Sequence, residues 1–204
     1  SSAGGGAVNQ DYFVVKLSFI GELSPGFGDT ASGWARFDLQ GGGTNVATAI
    51  VDHLPLGGGD RFVIGGSTHP PGTSARDLAL IGMTSTGAVD LSFGVGGRSL
   101  VDLGGDDSLE DLIVQRRDGT KRLVAVGGTS PAGAATPRDV FLARWPANGA
   151  GLDPTFGTGG RVIRDFGGDD SGFAVIVDGE ETLVVAGQTA GPADGAGGGL
   201  DFTA

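Results

Sequence analysis

The chain has 204 residues, a formal net charge of −11 and no cysteine. That acidity leaves no electrostatic footprint for a nucleic-acid phosphate backbone or an anionic membrane surface, and the missing thiols exclude disulfides, thiol catalysis and cysteine-bound zinc. Apolar residues make up 39% of the chain, enough for a packed core, while glycine, at 42 residues, stands at about three times its usual share.

The glycines lack an every-third-residue period, which removes collagen, and they fall between apolar runs, where they read as turn residues. Residues 1–10 are small and glycine-bearing and read as a flexible linker. The β-branched and aromatic run 11–17 then has the composition of a largely buried strand, repeated at 77–83 and 139–145. A further copy starts at Asp201-Phe202-Thr203. Four residues past each strand a glycine falls in register, at Gly21, Gly87 and Gly149, which predicts a tight reversal with positive φ.

Next comes a shared phrase. It reads Leu152-Asp153-Pro154-Thr155-Phe156-Gly157 in its clearest form, Val89-Asp90-Leu91-Ser92-Phe93-Gly94 in a second, and Leu23-Ser24-Pro25-Gly26-Phe27-Gly28 in a worn one. A more polar strand follows at 98–103 and 161–166, its alternation fitting a wet face or an outer place in a sheet. Gly-Gly-Asp-Asp-Ser, at 104–108 and 167–171, is then expected to turn the chain. Third strands are predicted at 46–51, 112–114 and 173–177, and fourth strands at 61–65, 123–127 and 183–187. Asp118-Gly119 and Asp178-Gly179 between them carry the signal of a type I′ hairpin, replaced in the first unit by a longer loop at 55–60. Pro, Gly and Ala stretches at 70–74, 131–137 and 191–199 separate the units, and no helix-period segment appears.

The class read from this pattern is all-β: repeats at 11–68, 77–130 and 139–190, with the first strand of a fourth at 200–204. One four-stranded antiparallel meander per repeat of about sixty residues is the arithmetic of a β-propeller-like array of blades. The phrase just quoted, the Gly-Gly-Arg after it, the Asp-(Phe/Leu)-Gly-Gly-Asp-Asp-Ser segment and the closing Leu-Val strand together resemble the delta-60 repeats of bacterial proteins. That resemblance implies a propeller fold in tandem arrays, a secreted or cell-envelope location and no defined activity. Three units fall short of the roughly four to eight blades of a closed ring. The chain is therefore expected to be a segment of a longer repeat protein, or an arc that joins copies of itself into a ring or filament.

Asp102, Asp106 and Asp107, with Asp165, Asp169 and Asp170, are the dense carboxylate clusters, and hard oxygens at this spacing are calcium candidates. Asp, Gly and Ser are also what an ordinary turn requires, and that reading is preferred. The Phe-Gly pairs Phe27-Gly28, Phe93-Gly94 and Phe156-Gly157 are assigned structural roles, the ring packing between blades and the glycine permitting the bend. Trp145 aligns with Met83 and Leu17 as a packing residue, Trp34 is the candidate for an exposed aromatic platform although a loop anchor is the preferred reading, and His53 and His69 read as loop residues. Neither a G-x-S-x-G elbow nor a phosphate-binding glycine loop opening a helix occurs. The expectation is a non-enzymatic scaffold or binding module whose partner is a protein or glycan surface or a further copy of itself. A carbohydrate-active enzyme using the aspartates is the weaker alternative.

Overall fold

Short β-branched runs broken by positive-φ glycines leave the backbone one economical solution, the antiparallel meander. The computed structural model describes residues 10–28, 30–39, 43–52, 61–70, 72–73, 75–131, 137–179 and 181–190. Among them the secondary structure is strand throughout: β1 (Tyr12–Val15), β2 (Trp34–Phe37), β3 (Asn45–Asp52), β4 (Arg61–Thr68), β5 (Asp77–Thr84), β6 (Arg98–Val101), β7 (Gly105–Arg117), β8 (Thr120–Pro131), β9 (Asp139–Pro146), β10 (Arg161–Arg164), β11 (Asp169–Val177) and β12 (Leu183–Ala190). The all-β class is as read from the sequence. The 1–9 lead, His53 with most of the first-unit loop, the 191–199 linker and the fourth-repeat strand lie outside the described residues. No described helix is long and apolar enough to cross a membrane.

The strands form four antiparallel sheets, ordered β1-β2, β3-β4-β5-β6, β7-β8-β9-β10 and β11-β12. Each complete sheet thus takes its first two strands from one repeat and its last two from the next. The segment between sequence units is a hairpin connection inside a sheet: Thr68 stands opposite Asp77 and Arg61 opposite Thr84, along the whole of β4 and β5. The chain changes sheet instead at Gly104 and Gly167, whose φ values of 106° and 98° suit glycine alone. Asp106-Asp107-Ser108 and Asp169-Asp170-Ser171 therefore open strands β7 and β11 rather than forming the turn expected of them. The polar second strands β6 and β10 do occupy sheet edges.

The layers stack through their apolar faces. Tyr12, Phe27, Ile64 and Met83 belong to one core, and Leu80, Phe93, Leu109, Phe141 and Trp145 to the largest. Val126, Val140 and Val175 form a smaller third. Each fully buried large side chain contributes about 1.5–3 kcal/mol over its exposed state. A register shift recurs at the same place in β3, β7 and β11, at Ala47/Ala49, Leu109/Asp111 and Gly172/Ala174, so the bulge is part of the repeat. Side chains cross between layers beside it, with the Thr48 hydroxyl donating to Leu109 O at 2.7 Å and the Val175 N–H to Asp111 at 2.9 Å.

Asp118 and Gly119, at φ 50° and 71°, make the expected two-residue hairpin between Arg117 and Thr120. Asp178-Gly179 does not repeat it. Pairing of Val177 with Leu183 leaves a longer loop, the left-handed residue among those described there is Glu181 at φ 62°, and the Asp178 carboxylate accepts the Thr182 N–H at 2.8 Å.

Candidate functional site

Successive side chains on a strand point to opposite faces, and this separates the paired aspartates. Asp106 turns outward to arginine: it accepts Arg76 Nε at 2.8 Å, Arg76 Nη2 at 2.7 Å, the Arg76 backbone N–H at 3.0 Å and Arg138 Nη2 at 2.9 Å. The Arg76 bonds above all hold its carboxyl well below the ordinary carboxylate range. Asp169 keeps the corresponding backbone bond, from Arg138 N–H at 3.0 Å.

Asp107 and Asp170 turn inward and are wholly buried. The Asp107 carboxylate accepts the Thr129 hydroxyl at 2.5 Å and the Leu103 N–H at 2.8 Å, tying the crossing segment to strand β8. Asp170 takes the Phe166 N–H at 2.7 Å in the same way, and Asn45 fills the position in the first unit, accepting the Thr68 hydroxyl at 2.6 Å. The backbone N–H groups continue the pattern, with Asn45 donating to Gln10 O, Asp107 to Arg76 O and Asp170 to Arg138 O. Burial, reinforced by Asp102 and Asp77, pushes Asp107 up to about 6.

In the last repeat the first residue of the strand completes a three-carboxylate group. Asp139, Asp165 and Asp170 each offer an oxygen, all within 4.8 Å of one another. Asp77, Asp102 and Asp107 take the same places in the middle repeat and feel one another's charge, without meeting as closely: burial and Asp102 raise Asp77, as burial, Asp165 and Asp170 raise Asp139. Of the calcium candidates, the structure brings Asp165 and Asp170 together and sets Asp169 apart with Arg138, while Asp106 is committed to two arginines. Asp139 was missed, although its place at the head of every repeat strand was the available signal. Such an oxygen-only donor set suits a hard cation in kind. Asp102 and Asp165 also carry out turn chemistry, accepting the N–H groups of Gly104 and Gly167 two residues on, at 2.6 and 2.7 Å.

The shared phrase builds a second constellation. Asp153 accepts the Thr155 N–H at 3.0 Å and hydroxyl at 2.7 Å, together with Arg144 Nε at 3.0 Å and Arg122 Nε at 3.1 Å. The Thr155 bonds lead in holding its carboxyl down at about 2. Asp90 repeats the arrangement with Ser92 and Arg61. The Phe-Gly pair that follows is a joint between repeats. Gly28 N–H donates to Thr86 O at 2.8 Å and Gly94 N–H to Asn148 O at 2.7 Å, and the Phe27 and Phe93 rings lie under Gly87 and Gly149. Phe156 is only half-buried and has Arg144 over its ring at 4.6 Å. Trp145 is in the core, as its alignment implies, whereas Trp34 is half-exposed and opens strand β2 opposite Val15 rather than anchoring a loop.

These geometries define an all-β stack of antiparallel sheets whose repeated aspartates fasten one layer to the next. A scan against models of known protein families matches none, and a search of curated proteins returns no relative.

Proposed function

We propose that the chain is a non-enzymatic, propeller-type repeat module of the delta-60 kind, acting as a scaffold or binding surface outside the cell or in the cell envelope of a bacterium. The observation that carries this reading is the repetition of the polar chemistry. Asp107 and Asp170 hold the crossing between sheets, Thr86 O and Asn148 O join one layer to the next, and Asp90 and Asp153 fasten the turn to its own sheet, each bond recurring in successive repeats. A catalytic centre needs one unlike constellation, whereas a scaffold needs the same joint many times. The exposed partner on this reading is a protein or glycan surface, and the Asp-rich segments serve the backbone.

Two measurements on the native protein test this. Purified envelope glycans and surface proteins offered to the full chain should bind saturably and be recovered at unchanged length; release of shortened glycan would make the chain an enzyme. Fractionated native cells should hold the protein in the envelope or the medium, and its confinement to the cytosol would overturn the location.

A further inference from the structure

We propose that the outer edges of β1 and β12 are two halves of one joint, and that a second copy of this chain closes it by forming a sheet ordered β11-β12-β1-β2 across the two molecules. The inference rests on the reading of the chain as a propeller-type array and adds its partner.

Among the described residues each of these two strands is paired on one side only, β1 with β2 and β12 with β11. The internal hairpins fix the register they would adopt. Thr68 faces Asp77 and Thr129 faces Asp139, so Thr189 faces Asp11 of the neighbouring copy; Ile64 faces Ile81 and Ala125 faces Ala143, so Val185 faces Val15. The face of β1 that would be covered is apolar and open. Phe13 is 68% exposed where its counterparts Ala79 and Phe141 are 0%, and Leu17 is 53% exposed where Met83 and Trp145 are at most 1%. On the other partner Val184 is 47% exposed where Val63 and Val124 are at most 1%. Such a half-covered core is the signature of a contact surface.

The Phe-Gly joint extends the match. Gly28 and Gly94 donate to the turn of the next repeat, whose counterpart at the front of the chain is Ile20, so Gly157 N–H meets Ile20 O of the second copy. Gly87 and Gly149 cover Phe27 and Phe93, whereas a Cβ on Gly21 would meet nothing within 4 Å, leaving that glycine open to receive Phe156.

What selects a second copy over a further standard repeat is a matched pair of departures. Within the chain an arginine at the head of β4 or β8 clamps the aspartate of the next phrase, Arg61 to Asp90 and Arg122 to Asp153. The third arginine position is Thr182, and the first aspartate position is Ser24. A standard repeat docked on β12 would bring an aspartate to a threonine and lose its arginine; this chain's own front brings a serine, and no charge is stranded. Trp34 likewise stands in the register place of Arg98, which reaches the carbonyls of Asp38 and Leu39 in the preceding repeat. The residue at that preceding place in β12's own repeat is Phe166, 65% exposed where Leu39 and Leu103 are 2% and 7%. An aromatic pair replaces a cation on carbonyls. Head-to-tail contacts of this kind close into a ring when the rotation permits. Counting the described strands, two copies supply six sheets, inside the roughly four to eight of closed propellers, and three copies supply nine.

The cysteine-free full chain makes the test direct. Light scattering should give twice the chain mass, and a mixture of Val15→Cys and Val185→Cys chains should oxidise to a mixed disulfide that Val15→Cys with Ala186→Cys does not form. A particle of single-chain mass at every concentration overturns the proposal, as does a dimer in which the first cysteine pair stays reduced. So does an intrachain bond in the Gln188→Cys/Phe202→Cys chain, which would give the β12 edge to the chain's own residues. A monomer that still binds its envelope partner would leave the scaffold reading standing and remove this one.

Discussion

Asp107 carries the clearest pH signature in the molecule. Its folded-state carboxyl titrates near 6, above an unfolded value near 4, so the folded protein binds the proton more tightly across that window. Its contribution to stability is full below the unfolded value and is lost as pH rises through about 6. Asp106 and Asp153 act oppositely: their lowered carboxyls stabilise above the unfolded value, and that is lost as pH falls further. The melting temperature should therefore be highest between about pH 4 and 6. Asp107→Asn should flatten the decline from pH 5 to 7 in a thermal-melt series, since the amide carries no charge and can still accept from Thr129. Asp107→Ala, which orphans the Leu103 N–H, should cost about 1–3 kcal/mol at neutral pH by chemical denaturation. Chelation of calcium should leave the melting temperature where it was, because one oxygen of Asp107 and one of Asp170 already accept backbone N–H groups; Asp170 Oδ1 is buried without a partner, and a drop of several degrees would show an ion held there by Asp139, Asp165 and Asp170.

At the scale of the element, strands and edges were largely legible. The runs at 77–83 and 139–145 became β5 and β9 almost residue for residue, and the wet alternation after Gly-Gly-Arg placed β6 and β10 at sheet edges. The grouping of strands into sheets was not legible. A repeat marks a period and no starting point, and only Thr68 pairing with Asp77 shows that the unit boundary lies inside a sheet. The Asp-Asp pair misled for a related reason: its composition is that of a turn, and only burial of the second aspartate under Thr129 reveals a strand. Asp139 escaped notice because its partners Asp165 and Asp170 lie across the sheet crossing, where spacing along the chain says nothing of distance. The Phe-Gly joint was legible, and its strength depends on the neighbour. Phe93→Ala should cost about 3–5 kcal/mol, the usual range for a fully packed aromatic, and Phe156→Ala distinctly less in the isolated chain. Gly149→Ala should be as severe as Phe93→Ala, since its Cβ would lie 2.4 Å from the ring at a φ of 67°. Urea titration of the three variants would check the order.

For the whole molecule, the main contacts among the described strands run between adjacent layers, so stability should be divisible by layer. Where the divisions fall is the central claim, because everything about the joints and edges follows from the sheets running across the repeats. It is tested most directly by the melting temperatures of two pieces of similar length. Residues 43–167 keep β3–β6 and β7–β10 whole; residues 77–190 follow the sequence repeats and cut the first of these sheets in half. The account predicts one cooperative transition for the first piece, at a clearly higher temperature than for the second. A repeat-phased piece that melts as high or higher would contradict it.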